Sequence, residues 1–518
     1  MAPRVTSLAA AVHLVRDGGT VVVEDGVWET DGVIIDKPLT MKSAPPAEPL
    51  LINTNPDGPG LTIDGVAQGT VELQGLRFEN AAGLSAILAT GTYDRVVIRN
   101  SHVEVTSAST EAGWAYGINA TTSTVPDGQL IVENTTFVGG RFGVIAQGTT
   151  AHVRGSRFTE CSVASVQYTL ASRGTIEHNE IDGCGSNACI TVFDPAGIEI
   201  ANNGIRHPVG AARNGIRALV SNPGSYAVSI RDNELVGTGV QPDDLDPYPP
   251  DGDPFGRDIN ASALRYGIRV TGTVIAAVQG NRVSGAHWGV ILHSGGSGTI
   301  IGNRVWDCGG ICIFAGQVGT PTVIEGNLVL GDVGFRRAGT AIFARSQAPW
   351  APVTIRHNTV VGNRNDGDPA DLLSYAFKMG ILALSWNPWD ADPGPEVPGL
   401  PVEVYGNTVT NVGQGLVADL GGFMVAHDNV LDGMGQGLLA WHWMSTMQAH
   451  RNDFLDAAIA ALGYGSIFAQ CNWWGSAGGP GTAWDPQTVT PWATEPIANR
   501  PTVQCPVAAQ GSTEGALP

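Results

Sequence analysis

The stretch Val278–Trp306, VQGNRVSGAHWGVILHSGGSGTIIGNRVW, contains the phrase Gly-Asn-Arg-Val twice, at Asn281 and Asn303. An Asn at the head of a short apolar run returns about every 20 to 24 residues along the chain. It stands as RNSHV at Asn100, ENTTF at Asn134, HNEI at Asn179, NNGI at Asn203 and DNEL at Asn233, then as GNLV at Asn327, HNTV at Asn358 and GNTV at Asn407. DNVL at Asn429, RNDF at Asn452 and CNWW at Asn472 continue it, and Gly155 of GSRF keeps the beat where Asn is missing. A unit this short cannot hold a helical crossover but holds three short strands with turns, so successive units must stack as coils. The pattern predicts an all-β fold, a single parallel β-helix, of roughly fifteen coils and ~70 Å at the usual strand spacing. Asn suits the recurring corner because it tolerates left-handed backbone and its amide can bond along the stack.

Composition agrees: Gly is 69 of 518 residues, charged residues are 15% and hydrophobic residues 43%. A solenoid grows in one dimension, so the length implies no split into domains. Residues 1–30 read as an N-terminal cap and first strand, and 31–475 as coils with insertions at 237–262, 362–377 and 387–400. Residues 476–518 read as a C-terminal cap and tail. A net charge of -20 argues against a nucleic-acid partner. No apolar run reaches the ~18 residues of a membrane span. Seven cysteines point to a secreted or cell-surface location. Cys161 with Cys184, Cys184 with Cys189, Cys308 with Cys312 and Cys471 with Cys505 are the pairings that phase and spacing allow. No signal-peptide pattern stands before the first amphipathic helix.

The two ends carry a resemblance. SLAAAVHLVRDGGTVVVEDGVW opens the chain, and Asn472-Trp473-Trp474-Gly475, Gly479-Pro480 and Pro491-Trp492 close the repeat with large aromatics. With the Asn-paced coils between them, these resemble the right-handed parallel β-helix superfamily, the pectate-lyase-like fold, over essentially the whole chain. The resemblance implies an N-terminal capping helix, an aromatic C-terminal cap and polysaccharide chemistry as lyase, hydrolase, esterase or epimerase. The N-T-D, D-D, G-H-G and R-I-K set of polygalacturonases, the W-I-D-H of lyases and the D-P-H of alginate epimerases are absent, so no one subfamily supplies a substrate.

One strand of most coils follows the phrase YGIN at Tyr116, FGVI at Phe142, NGIR at Asn214, YGIR at Tyr266, WGVI at Trp288 and MGIL at Met379. If the residue after Gly points inward, alternation turns that Gly and the next-but-one residue outward, and a column of Gly leaves a trough. Beside it come Arg213, Arg265, His287 and Lys378 before the Gly and Arg217 and Arg269 after it. His293, Arg345, Asp419 and Trp441 follow further along the same strands. A basic strip on an acidic body suits an anionic polysaccharide such as a uronate chain.

The insertions add Tyr248, Phe255, Tyr375, Trp386 and Trp389, aromatic platforms on which sugar rings stack. Both Asp-rich insertions hold Asp-Gly-Asp-Pro, with Asp251 and Asp253 in one and Asp366 and Asp368 in the other. Carboxylates at that spacing can supply oxygen ligands to Ca²⁺, the one cofactor the sequence indicates. Three functions follow. A lyase would remove the proton α to a uronate carboxylate by β-elimination, with Lys378, Arg345, His293 and Arg269 as base and neutralising cations. A glycoside hydrolase would pair Asp419 with a loop carboxylate such as Asp258, Asp366 or Asp371. A non-catalytic rod would bind glycan through Arg217, Arg265, Tyr248, Trp386, Trp389 and Trp441. Nothing in the sequence selects an oligomeric state.

Overall fold

The computed structural model describes residues 4–479 except 107–114, 186, 207–213, 221–223, 225, 238–263, 332–337, 347–348, 364–374, 376 and 386–399, and also 492, 493 and 496. Each repeat lays one strand in each of three sheets. One such coil is Val274–Gln279, Arg282–Ser284 and Ala286–Gly295, after which Ser297–Ile301 returns to the first sheet. Among the described residues the three sheets hold 17, 16 and 16 strands, and every strand pairs parallel with its counterparts in neighbouring coils. The fold is the expected single parallel β-helix.

The corner between the first and second sheets shows why Asn sets the period. Asn281 is buried; its backbone N–H and Nδ2 both donate to Asn303 Oδ1, at 2.9 and 3.0 Å, and Nδ2 also reaches Ile230 O at 2.9 Å. Asn303 repeats this onto Asn327 and Val278 O, and the ladder runs from Asn179 to Asn472. The left-handed residue is the one before the ladder Asn, as at Gly302 (φ 62), His357 (φ 55) and Asp428 (φ 54). That corrects the phase at the start of the repeat. Asn100 (φ 50), Asn134 (φ 47) and Gly155 (φ 59) are themselves the left-handed residues. The ladder there passes through Ser101, Thr135 and Ser156: Ser101 Oγ accepts from Leu76 N, Ser156 Oγ accepts from Thr135 N, and Ser156 N donates to Asn179 Oδ1.

Inside the rod the second sheet contributes one unbroken column, including Val103, Phe137, Phe158, Ile181 and Ile205 in register. Phe137 and Phe158 stack at 4.7 Å between centroids. The core is closed at both ends. Helix Leu8–Leu14 is capped by Ser7, which accepts from Ala10 N, and it buries Leu8 and Val12 on the first coils. At the other end Trp474 stacks on Phe454 at 4.5 Å. Cys184 pairs with Cys189 and Cys308 with Cys312, both within one coil, leaving Cys161 as a buried thiol although it lies in register with Cys184. Cys471 is also disulfide-bonded, and Cys505 lies outside the described residues.

Candidate functional site

The third sheet holds the repeated aromatic-Gly-Ile phrase, and its glycines do not open a trough. A Cβ on Gly143 would stand 2.6 Å from Phe158 Cδ1, one on Gly289 2.5 Å from Val305 Cγ1, and one on Gly380 2.7 Å from Val409 Cγ1. All three neighbours belong to the inner column of the second sheet. The glycines therefore face inward at a bend where that sheet gives way to the third, and strict two-residue alternation is broken there.

Beyond the bend the outward positions form three columns. The first, before the Gly, includes Tyr266, Trp288, Met379 and Gln414. The second reads Arg217, Arg269, Ile291, Phe314, Phe343, Leu382, Val417 and Leu439. The third aligns His293, Gly316, Arg345, Leu384 and Asp419. The middle of this face is apolar and buried: Tyr266, Trp288, Ile291, Phe314, Phe343, Leu382 and Leu439 form a hydrophobic cluster separate from the core. The charged residues stand at its ends and edge rather than along its centre.

At the earlier end lies a cationic group. The Arg265 and Arg269 guanidinium carbons sit 5.2 and 4.7 Å from the Tyr266 ring centroid. Arg269 Nε donates to His293 Nε2 at 3.1 Å, and His293 Nδ1 lies 2.8 Å from Ser294 Oγ. This fixes His293 as a neutral imidazole with its accepting nitrogen occupied. Burial, with Arg269 beside it, pushes the His293 pKa down to about 3. Burial and Arg265 push His287 to about 4. Arg265 Nε and His287 Nδ1 are buried without a hydrogen-bond partner among the described residues. Neither Arg265 nor Arg269 has a carboxylate partner among the described residues. Arg217, in register with Arg269, donates to Asn187 Oδ1 at 2.8 Å.

At the later end stands Asp419, half-buried. Burial raises its carboxyl above the usual range, opposed by the Leu420 N–H at 2.7 Å and by His442 and Lys378 nearby. Among the described residues no second carboxylate appears among the groups that shift it. Lys378 is exposed, whereas Arg345 is 7% exposed. Trp441 follows Asp419 in the next coil, its N–H bonded to Ala418 O, and its ring meets Tyr464 edge-on at 6.1 Å.

The sheet thus places Arg217, Arg265, Arg269 and His293 together and Lys378, Asp419 and Trp441 together. Four to five coils, roughly 20–24 Å at the strand spacing, separate the His293 and Arg269 end from Asp419, with Arg345 between. Tyr248, Trp386, Trp389, Asp251, Asp253, Asp366 and Asp368 lie outside the described residues. Sequence reasoning missed Asn187, His442, Trp443 and Tyr464, which sit just outside the strands. Reading one residue past Gly463, in register with Ala440, would have found Tyr464 as the neighbour of Trp441 in the next coil.

A search of the curated proteins finds no match. Among solved structures, tailspike protein 3 of bacteriophage CBA120 is similar at 12% identity and TM-score 0.35, over 91% of this chain. This chain spans 59% of that tailspike's length. A mannuronic acid specific family 6 polysaccharide lyase from human gut microbiota is similar at 15% identity and TM-score 0.28, over 94% of this chain and 88% of the lyase. The tailspike protein of E. coli bacteriophage HK620 in complex with pentasaccharide is similar at 10% identity and TM-score 0.30, over 86% of this chain and 72% of that one. The sequence model described as the right handed beta helix region matches residues 67–242 and 258–388, more than half of the chain. The protein belongs to the right-handed β-helix family.

Proposed function

We propose that this protein is a polysaccharide-acting enzyme that takes an acidic glycan along the third sheet and cleaves it by β-elimination. One observation carries the reading: Arg265 and Arg269, on a protein of net charge -20, hold their guanidinium groups on one tyrosine ring with no carboxylate partner among the described residues. A partly desolvated guanidinium pair is a ready receptor for the carboxylate of a uronate. Arg217 extends that receptor by one coil, and His293 positions Arg269 through its accepting nitrogen.

Chemistry belongs to the other end. The Lys378 ammonium pairs with the carboxylate of the reacting sugar and makes its α-proton removable. His442 accepts that proton. The electron pair becomes the new C4–C5 double bond as the C4–oxygen bond breaks, and the carboxyl of Asp419, raised by burial, protonates the leaving oxygen. Arg345, two coils before Asp419, holds the neighbouring stretch of glycan. A glycoside hydrolase is the second reading, in which Asp258, Asp366 or Asp371, all outside the described residues, would have to supply the partner carboxylate to Asp419. The disulfides favour an oxidising compartment, secreted or cell surface. Calcium on Asp251, Asp253, Asp366 and Asp368 is a further proposal, which a chelator tests.

The deciding experiment incubates the protein with a panel of acidic and neutral polysaccharides, following reducing ends and the ultraviolet absorbance of unsaturated uronates together. Both signals rise on an acidic glycan if the proposal is right, and Arg265→Ala with Arg269→Ala raises KM at least about tenfold, the value of one lost charge-assisted bond. Reducing ends without absorbance would transfer the assignment to hydrolysis. Binding without either signal would leave a glycan-binding rod.

A further inference from the structure

Among the described residues, the large aromatic side chains left exposed are Trp441 (50%), Trp443 (66%), Tyr464 (80%) and Phe468 (47%), and all four fall in the last two coils. Elsewhere the exposed large hydrophobic residues are scattered aliphatics. Trp441 and Tyr464 stand in adjacent coils directly beyond Asp419, their rings at 78°, so they form two walls of a corner rather than a closed stack. Trp443 lies beside His442, ring centroids 5.6 Å apart. Leu462, 45% exposed, ends the apolar column after buried Leu439 and extends the same floor.

Resting on the proposed function, we propose that Trp441, Trp443 and Tyr464 form a subsite for an uncharged sugar ring, so that the glycan carries neutral residues beside its acidic ones. The two ends of the face differ in charge. Tyr266 has a guanidinium on it twice over, whereas among the described residues no cation–π contact involves Trp441, Trp443 or Tyr464. The negative faces of bare aromatic rings attract sugar C–H groups and repel a carboxylate. His442, beside Trp443 at the rim, offers a ring nitrogen to sugar hydroxyls. A protein partner fits less well, since three rings and a leucine fall far short of the roughly 800 Å² per side of a stable interface.

The test titrates intrinsic tryptophan fluorescence with cellohexaose, mannohexaose and xylohexaose, and separately with oligogalacturonate and oligomannuronate, on wild type, Trp443→Ala and Tyr464→Ala. Both substituted side chains are exposed, so circular dichroism should show the fold retained. The expected result is binding of a neutral hexasaccharide that weakens about tenfold in either variant. No neutral binding, or binding equal in the variants, overturns the subsite. A wild-type protein that self-associates in sedimentation while Trp443→Ala stays monomeric also overturns it, making the patch a contact between copies. The two proposals fail separately: acidic binding without neutral binding sinks only the subsite, and neutral binding without acidic binding sinks only the uronate reading.

Discussion

Replacing Asn303 by Ala tests whether the Asn ladder holds neighbouring coils together. Asn303 is 1% exposed and makes four bonds as donor: its N–H and Nδ2 to Asn327 Oδ1, and its Nδ2 to Val278 O and Ile301 O. Its Oδ1 accepts from both the Asn281 backbone N–H and Asn281 Nδ2; without it the backbone N–H has no other acceptor among the described residues, whereas Nδ2 keeps Ile230 O and Gln279 O. Alanine thus orphans one buried N–H, at about 1–3 kcal/mol, and removes side-chain bonds worth about 1 kcal/mol net. The expected loss is about 2–4 kcal/mol. Ser at the same site should recover part of it, because Ser156 fills the equivalent position and accepts from Thr135 N at 3.2 Å. Asp should be worse than Ser, since it carries a charge into the ladder and gives up the Nδ2 donors. Urea unfolding measures the total. Hydrogen exchange resolved to the coils on either side measures the local part, which matters because a long repeat opens in sections. A loss under about 1 kcal/mol with unchanged protection at Asn281 would refute the ladder as a stabilising device.

Three further outcomes are expected. Because burial raises the folded-state pKa of Asp419 above its unfolded value, the ionised carboxylate destabilises the fold as pH rises through that pKa; Asp419→Asn should be more stable than wild type at neutral pH, equal to it near pH 3, and inactive. His287 and His293 are depressed to about 4 and about 3, so the unfolded chain binds more protons as pH falls from ~6.5 and stability is lost across that window; thermal melts of His287→Gln should show a shallower acid slope, and an unchanged slope would count against a buried neutral imidazole. Gly143→Ala puts a methyl 2.6 Å from Phe158 and 2.7 Å from Ser165 O, and urea unfolding should show a loss of about 1–3 kcal/mol.

The period of the chain was legible because one residue type recurs at a corner where its hydrogen bonds are obligatory. Where Asn served a second purpose, as the left-handed residue at Asn100 and Asn134, the same letter misled the phase by one. The glycine phrase was legible as a repeat but not in direction, because alternation assumes a straight strand and this strand bends at the glycine. His293, Arg345 and Asp419 were legible as one column, since strand alignment follows from the period. That the centre of that face is buried and apolar was hidden, because Ile291, Phe314 and Phe343 look like core residues in any sequence.

The two-sided burial of the third sheet changes what specifies its alignment. Where one face is wet, sliding a strand by a single residue would expose its oily side, and that penalty alone selects the pairing. From Trp288 to Leu439 both sides of this sheet are dry, so oil and water cannot distinguish the right alignment from its neighbour. The choice falls to chemistry that tolerates no slip: a bare α-carbon that must meet Val305 or Val409, and an amide that must find the next amide. Substitutions at those few positions should therefore yield mispaired, heterogeneous rods rather than uniformly weaker ones.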